Sequence, residues 1–277
     1  MTRNQDQWKY SISYADEAPV TAPIPLCGPI AEAMKQAAGY GYNAIEIHAR
    51  EDAPLDLQEI MKASKEYGIS ISALVTGRLF TQGKCSLLDD AVYASERAME
   101  GLRNYVLLAE QLHTDIVIGW AKGNVPIGGE RPYYLRRLSD ALGKLGKFGA
   151  EHNVRILLEV INRYEVNIFT TAAETRAFIV ENKLDNCWVH LDTFHMGIDE
   201  LNPYEAIRDT GSLLGYFHVA DNSRHYPGSG QFDFPKILKT LEGVGYHGYI
   251  NVECFPWPDR EMAARRSLEH LKASEPS

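Results

Sequence analysis

The chain has 277 residues, of which 45% are hydrophobic and 23% charged, and its formal net charge is −9. This composition is that of a globular protein and excludes an intrinsically disordered one. The acidic balance argues against nucleic acid or an anionic membrane as a partner, since both attract basic surfaces. No run approaches the roughly 18 apolar residues of a membrane span, and the N-terminal stretch MTRNQDQWKYS lacks the apolar segment of a signal peptide.

Strand-like and helix-like segments alternate along the whole chain. Amphipathic patterns with apolar residues three and four apart predict helices over 30–41, 57–68, 89–112, 133–153, 170–183, 234–245 and 260–273. The fifth of these opens with a threonine and a glutamate at the spacing of a capping box. Runs rich in Val, Ile and Leu predict strands over 9–15, 43–49, 69–77, 115–121, 155–161, 187–193, 214–220 and 249–255.

Eight strands with helices between them predict an α/β fold, a single (β/α)8 TIM barrel that spans 1–277 as one domain. A doubly wound sheet is the alternative, but no Gly-x-Gly-x-x-Gly motif follows the first strand. No linker, low-complexity tract or block of charge divides the chain. The cysteines are widely separated and form no Cys-x-x-Cys pair, so we expect reduced thiols in a cytoplasmic protein; they are Cys27, Cys85, Cys187 and Cys254.

The C-terminal ends of the strands form the active face of such a barrel, and four consecutive strands end there in acids or imidazoles. The fifth strand ends with Glu159, the sixth with Asp192 and His195, the seventh with His218, and the eighth with Glu253. Three carboxylates and one imidazole make an oxygen-rich set that suits Mn²⁺, Mg²⁺ or Co²⁺ better than a structural zinc.

Each of these residues has another interpretation. Glu159 could form a buried ion pair, His218 could be a hydrogen-bonded core histidine, and Asp192 could cap a helix. Their equivalent positions on adjacent strands favour one metal site. Glu46 and His48, on the second strand, could reach the same rim or form a local hydrogen bond.

Four segments closely resemble signature segments of the D-tagatose 3-epimerase family, the ketose 3-epimerases of the xylose isomerase-like TIM-barrel superfamily. The segments are EVINRYEVN, LDTFHMG, FHVADNSRHYPGSGQFDF and VECFPWP, and the match is dense from about residue 156 to 258. The resemblance implies a homodimer or homotetramer that acts on a sugar. This chain departs from the family pattern at two places. Gly197 stands where the family has Asn, and the family's Ser-Asn pair before Arg224 is reversed to Asn222 and Ser223.

The resemblance also implies roles for seven residues. One divalent ion, with Mn²⁺ expected and Mg²⁺ or Co²⁺ as alternatives, would be bound by Glu159, Asp192, His218 and Glu253. His195 and Arg224 would contact the carbonyl end of the sugar. Glu165 would bind a terminal hydroxyl of the sugar or help to position Glu159.

Inversion of a carbon next to a ketone removes a proton and returns one to the opposite face, through a cis-enediolate. We expect Glu159 and Glu253 to be the two catalytic bases, with His195 and Arg224 as donors to the negative oxygen. An aldose–ketose, hydroxypyruvate or inosose-type isomerase, or a dehydratase, would use the same metal site. An endonuclease of this barrel type would need more histidines and a basic face.

The sequence does not determine which sugar is the substrate. Arg78 and Lys84, in the loop after the third strand, could bind a carboxylate or a phosphate, or they could be surface charges. A free ketose, a keto-sugar acid and a ketose phosphate therefore all remain candidates.

Overall fold

The computed structural model describes residues 8–50 and 55–276. The first seven residues, part of the stretch used to argue against a signal peptide, lie outside these ranges. Within the described ranges, no helix is both long enough and apolar enough to cross a membrane.

The strands form one closed parallel barrel. Their order is β2-β1-β3-β4-β5-β6-β7-β8-β9, and β1 also pairs with β9, from Lys9 opposite Tyr249 to Ile12 opposite Val252. This closure confirms the predicted TIM barrel and rules out an open doubly wound sheet. The strands are β1 (Lys9–Ala15), β2 (Leu26–Cys27), β3 (Ala44–Ile47), β4 (Ser70–Val75), β5 (Ile116–Ile118), β6 (Ile156–Glu159), β7 (Cys187–Asp192), β8 (Leu214–Val219) and β9 (Tyr249–Val252).

The predicted helices are all present, and local capping sets their ends. Thr171 accepts a hydrogen bond from the Glu174 amide at 3.2 Å, which confirms the predicted threonine cap. The Glu174 carboxylate accepts from the Thr170 amide at 3.1 Å, so the returning bond of the capping box reaches the residue before the cap. The helices are α1 (Ile30–Tyr40), α2 (Leu57–Tyr67), α3 (Gly77–Thr81), α4 (Val92–Leu112), α5 (Arg131–Glu151), α6 (Ala172–Glu181), α7 (Thr193–Asp199), α8 (Pro203–Thr210), α9 (Phe234–Gly243) and α10 (Arg260–Ala273).

Helix α8, which lies between β7 and β8 in the chain, was not predicted. It has only eight residues, too few to show a clear amphipathic period. Its start is nevertheless marked in the sequence, because Asn202 accepts from the amides of Tyr204 and Glu205 and Pro203 follows as the first helical residue.

Several strands are shorter than predicted, and this places polar residues at the rim. The fourth predicted strand, 115–121, ends at Ile118, where the chain turns into a short 3-10 helix over Trp120–Lys122. Glu159 is the last residue of β6, and Glu253 directly follows β9. The four cysteines are free, as predicted, and all but Cys27 are buried.

Candidate metal centre and active site

Four side chains from adjacent strands meet at the C-terminal rim of the barrel. They are Glu159, Asp192, His218 and Glu253, which we call the carboxylate–histidine cluster. Each offers one ligand atom, and all four atoms lie within 4.8 Å of one another. The strand register brings them together, since Asp192 lies opposite His218 across β7 and β8. The predicted set is therefore assembled, and all four residues are more than nine-tenths buried.

The atoms of this cluster fit a divalent ion. Asp192 uses its Oδ1 to accept from the Phe194 amide at 2.7 Å and so caps α7, while its Oδ2 is buried without a hydrogen-bond partner among the described residues. The Nδ1 atom of His218 is likewise buried and has no such partner. Buried polar atoms are almost always paired, and a cation bound by three carboxylates and an imidazole would satisfy both. The two interpretations of Asp192 are therefore compatible, since Oδ1 caps α7 and Oδ2 is available to a metal ion.

The two glutamates of the cluster differ in charge. Burial, together with the charge of Glu253, raises the pKa of Glu159 to about 8. Burial would raise the pKa of Glu253 too, but the Arg224 guanidinium and His218 hold it well below its usual range. Arg224 donates to Glu253 from Nη2 to Oε2 at 2.7 Å. Without a metal, Glu159 is therefore protonated at neutral pH and Glu253 is ionised.

His195 directs a proton toward the cluster. Its Nδ1 lies 3.4 Å from the backbone N of Asn162 and 2.7 Å from the side-chain amide of the same residue. A backbone N–H can only donate, so Nδ1 accepts and Nε2 carries the ring proton. Nε2 lies 3.9 Å from Glu159 Oε1 and 3.8 Å from Asp192 Oδ2. Burial lowers the pKa of His195 well below its usual value, so the ring is a neutral donor.

Arg224 and Glu165 also border the cluster. The Arg224 guanidinium lies 4.7 Å from the centre of the Phe194 ring, and its Nη1 is 3.8 Å from Glu165 Oε1. Despite the reversed Asn222–Ser223 order, Arg224 reaches the site. At the second departure from the family pattern, a Cβ on Gly197 would come within 2.5 Å of the Phe232 ring, so Phe232 fills that space.

A cavity of about 840 Å³ opens above the cluster. Its walls include both predicted catalytic glutamates and all three predicted substrate-binding residues. Arg78 also lines it, but Arg78 pairs with Asp16 at 3.0 Å and donates to the Glu17 carbonyl. Lys84 does not line the cavity. Another cavity, of about 550 Å³, opens near Tyr216 and includes none of the predicted site residues.

Three supporting residues were not found from the sequence. Lys122 is fully buried, and its Nζ donates to the backbone carbonyls of Gly119 at 3.1 Å and Glu159 at 3.2 Å. Burial lowers the pKa of Lys122 to about 8. A Cβ on Gly119 would collide with the Glu159 carboxylate. Asn162 orients His195, as described above. The only signal for Lys122 is a lysine that directly follows an apolar strand.

Comparison with known proteins agrees with this geometry. Residues 34–274 match the family model described as xylose isomerase-like TIM barrel. An L-ribulose 3-epimerase of Mesorhizobium japonicum is 32% identical over 217 residues, which are 78% of this chain and 72% of that protein. A D-psicose 3-epimerase of Agrobacterium fabrum is 33% identical over 233 residues, 80% of this chain and 78% of that protein.

A solved structure extends the comparison. The apo crystal structure of a 3-keto-D-glucoside 4-epimerase from E. coli has a TM-score of 0.80 and 26% identity, covering 96% of this chain and 100% of the other. These proteins are named as sugar epimerases. The chain belongs to the xylose isomerase-like TIM barrel family. Its relatives confirm the prediction of an isomerase-class sugar epimerase.

Proposed function

We propose that the protein is a divalent-metal-dependent epimerase that inverts C3 of a ketose or keto-sugar acid. The observation that carries this proposal is the pair of buried glutamates, Glu159 and Glu253, whose ligand atoms lie within 4.8 Å in the cluster beneath the cavity. A site for C3 inversion needs two bases, one for each face of the reacting carbon. We further propose that the chain is one domain, binds Mn²⁺ in preference to Mg²⁺ or Co²⁺, and assembles as a homodimer or homotetramer.

The side chains divide the chemistry between them. A divalent ion held by Glu159, Asp192, His218 and Glu253 would supply Lewis-acid stabilisation of negative charge next to the carbonyl. One glutamate takes the C3 proton and the other delivers a proton to the opposite face, with the roles exchanged in the reverse reaction.

Two further residues would stabilise the charge that develops on the sugar. His195 presents its Nε2–H, and Arg224 presents its guanidinium, as donors to the oxygen that becomes negative. Arg224 also keeps Glu253 ionised, and so ready to accept a proton. Glu165, which accepts from the Asn162 amide at 2.9 Å, lines the cavity and would hold a hydroxyl of the sugar.

The charges around the cavity disfavour a phosphorylated sugar. Arg78 pairs with Asp16, and Arg50 lies 3.4 Å from Asp16 and 3.3 Å from Glu17. The two cations are therefore balanced by two carboxylates from the loop that follows β1. A phosphate here would have to displace these ion pairs.

A second candidate is inversion of C4 in a 3-keto-glycoside. The solved 4-epimerase supports it at 26% identity, and so does the cavity, whose volume of about 840 Å³ lies near the upper end of ordinary ligand pockets and exceeds what one hexose fills. The same two glutamates would then flank C4 instead of C3.

Exchange of solvent deuterium distinguishes these functions. The protein loaded with Mn²⁺ would be incubated in D₂O with ketoses, keto-aldonates, ketose phosphates and 3-keto-glucosides, and the sugars analysed by NMR after chelation of the metal. Deuterium at C3 with the C3 epimer supports the first proposal, and deuterium at C4 supports the second. Deuterium at C1 with an aldose product would overturn both in favour of an aldose–ketose isomerase.

A Glu159→Gln variant tests the assignment of the bases. It should fold normally and lose deuterium exchange, because the amide cannot take a proton from carbon. Glu96→Gln, on the exposed face of α4, is the matched control and should exchange as the unmodified protein does. Near-normal turnover by Glu159→Gln would refute the mechanism.

A further inference from the structure

Glu46 lies beside the carboxylate–histidine cluster without belonging to it. It stands on β3, is fully buried, and contacts His218, a predicted metal ligand on β8. Its Oε2 lies 2.7 Å from Nε2 of His218. The two ring nitrogens of His218 therefore face different partners, with Nε2 on Glu46 and Nδ1 toward the cluster.

The other oxygen of Glu46 is also fully engaged. Oε1 accepts from Ser13 Oγ at 2.8 Å and from Asn251 Nδ2 at 3.0 Å, and it lies 3.2 Å from Nε2 of His48. Glu46, His48 and Glu253 lie close enough together to suggest a second cation site. The hydrogen bonds argue against one, because both oxygens of Glu46 already have donors directed at them.

We infer that Glu46 is a positioning residue that fixes the ring of His218 so that Nδ1 faces the metal. It accepts the proton of Nε2, and this leaves the lone pair of the metal-facing nitrogen on Nδ1. Histidine ligands of metals commonly donate their second N–H to such a carboxylate, which sets the tautomer and the ring orientation. Ser13 and Asn251 hold the carboxylate itself. The inference rests on the metal site of the proposed function, but not on which sugar is converted.

Titration of the metal-free protein with Mn²⁺ by calorimetry tests this role without any sugar. Glu46→Gln should weaken Mn²⁺ binding by about 10- to 100-fold, the effect typical of outer partners of metal ligands. A glutamine has one donor end and one acceptor end. If its amide nitrogen faces Asn251 two donors collide, and if it faces His218 the wrong tautomer is favoured.

A second substitution should reverse this loss. In Glu46→Gln/Asn251→Asp, the new carboxylate accepts from the glutamine amide, so the glutamine oxygen turns to His218 Nε2 again. We expect the double variant to recover most of the Mn²⁺ affinity. Residue 251 lies opposite His218 on β9, but its side chain donates to Glu46. Recovery through this residue is a result that a general loss of packing would not give.

The matched control is Glu96→Gln, which makes the same change in a glutamate on the exposed face of α4, away from the predicted ligands. Its Mn²⁺ dissociation constant should stay within about twofold of the unmodified value. If Glu46→Gln fails to fold, Ser13→Ala removes one donor to Glu46 and should still weaken Mn²⁺ binding severalfold. Unmodified Mn²⁺ affinity in a folded Glu46→Gln, or in Ser13→Ala when that is the variant measured, would overturn the inference. A protein that binds Mn²⁺ normally and converts no sugar would instead count against the proposed function.

Discussion

Metal binding to the carboxylate–histidine cluster should release protons, so its affinity should rise with pH. Metal ligands must be deprotonated, and the metal-free site holds protons at neutral pH. Burial and the charge of Glu253 raise the pKa of Glu159 to about 8, and burial raises that of Asp192 to about 6. Burial would lower the pKa of His218, but Glu46 and Glu253 outweigh it and raise that pKa well above its usual value.

The size of the effect follows from the pKa of Glu159. At about pH 7, one unit below that pKa, the cost of deprotonation weakens metal binding about tenfold, and at about pH 6 it weakens binding about a hundredfold. Release of the His218 proton adds to this slope in the same direction. The contribution of Glu159 disappears as the pH rises through about 8, because the carboxylate is then ionised before the metal binds.

Calorimetry with Mn²⁺ at about pH 6, 7 and 8, in buffers of different ionisation enthalpy, measures both the affinity and the number of protons released. We expect between one and two protons per ion at neutral pH. Glu159→Gln should bind more weakly and release about one proton fewer. A dissociation constant that is the same at all three pH values, with no buffer-dependent heat, would refute the assignment of these residues as the ligands.

Three further substitutions test individual contacts. Gly119→Ala places a Cβ against the Glu159 carboxylate, so kcat should fall about 10- to 100-fold while the fold is kept, and unchanged steady-state kinetics would contradict this. Arg224→Lys loses the planar contact with Phe194 and the hydrogen bond to Glu253, so kcat/KM should fall by a similar factor, whereas wild-type kinetics would show that charge alone suffices. Thr171→Ala removes the cap of α6 and should lower the free energy of unfolding by about 1 kcal/mol in denaturant titrations, with kcat unchanged.

The sequence was most informative where one physical rule applied to every strand. Buried parallel strands must be apolar, and parallel strands all end at the same rim, so the last residue of each run could be read for chemistry. This rule predicts Glu159, Asp192, His218 and Glu253 from the sequence alone. The same rule could not set the strand ends, because the turn after Ile118 depends on the 3-10 helix at Trp120–Lys122.

The supporting contacts could not be predicted because they join distant parts of the chain. Glu46 meets His218 across 172 positions of sequence, whereas the sequence favoured a local hydrogen bond with His48 over a place at the rim. In the structure, Glu46 contacts both His218 and His48. Asn162 orients His195 from 33 positions away, and Lys122 reaches the Glu159 carbonyl from 37. Periodicity carries no information on such pairs.

These contacts give the first half of the chain a defined part in the site. All the predicted ligands come from β6 to β9, where the resemblance to the epimerases is dense. Glu46 on β3 and Lys122 after β5 instead form hydrogen bonds with two of the predicted site residues, the ring of His218 and the backbone carbonyl of Glu159. Loss of Glu46 would leave His218 buried without its carboxylate, and loss of Lys122 would leave two buried carbonyls without their donor, so neither residue can change alone without cost to the site. We therefore expect changes in the loop that carries Asp16 and Glu17 to alter substrate preference, and changes in the interior of the barrel to displace the predicted metal ligands.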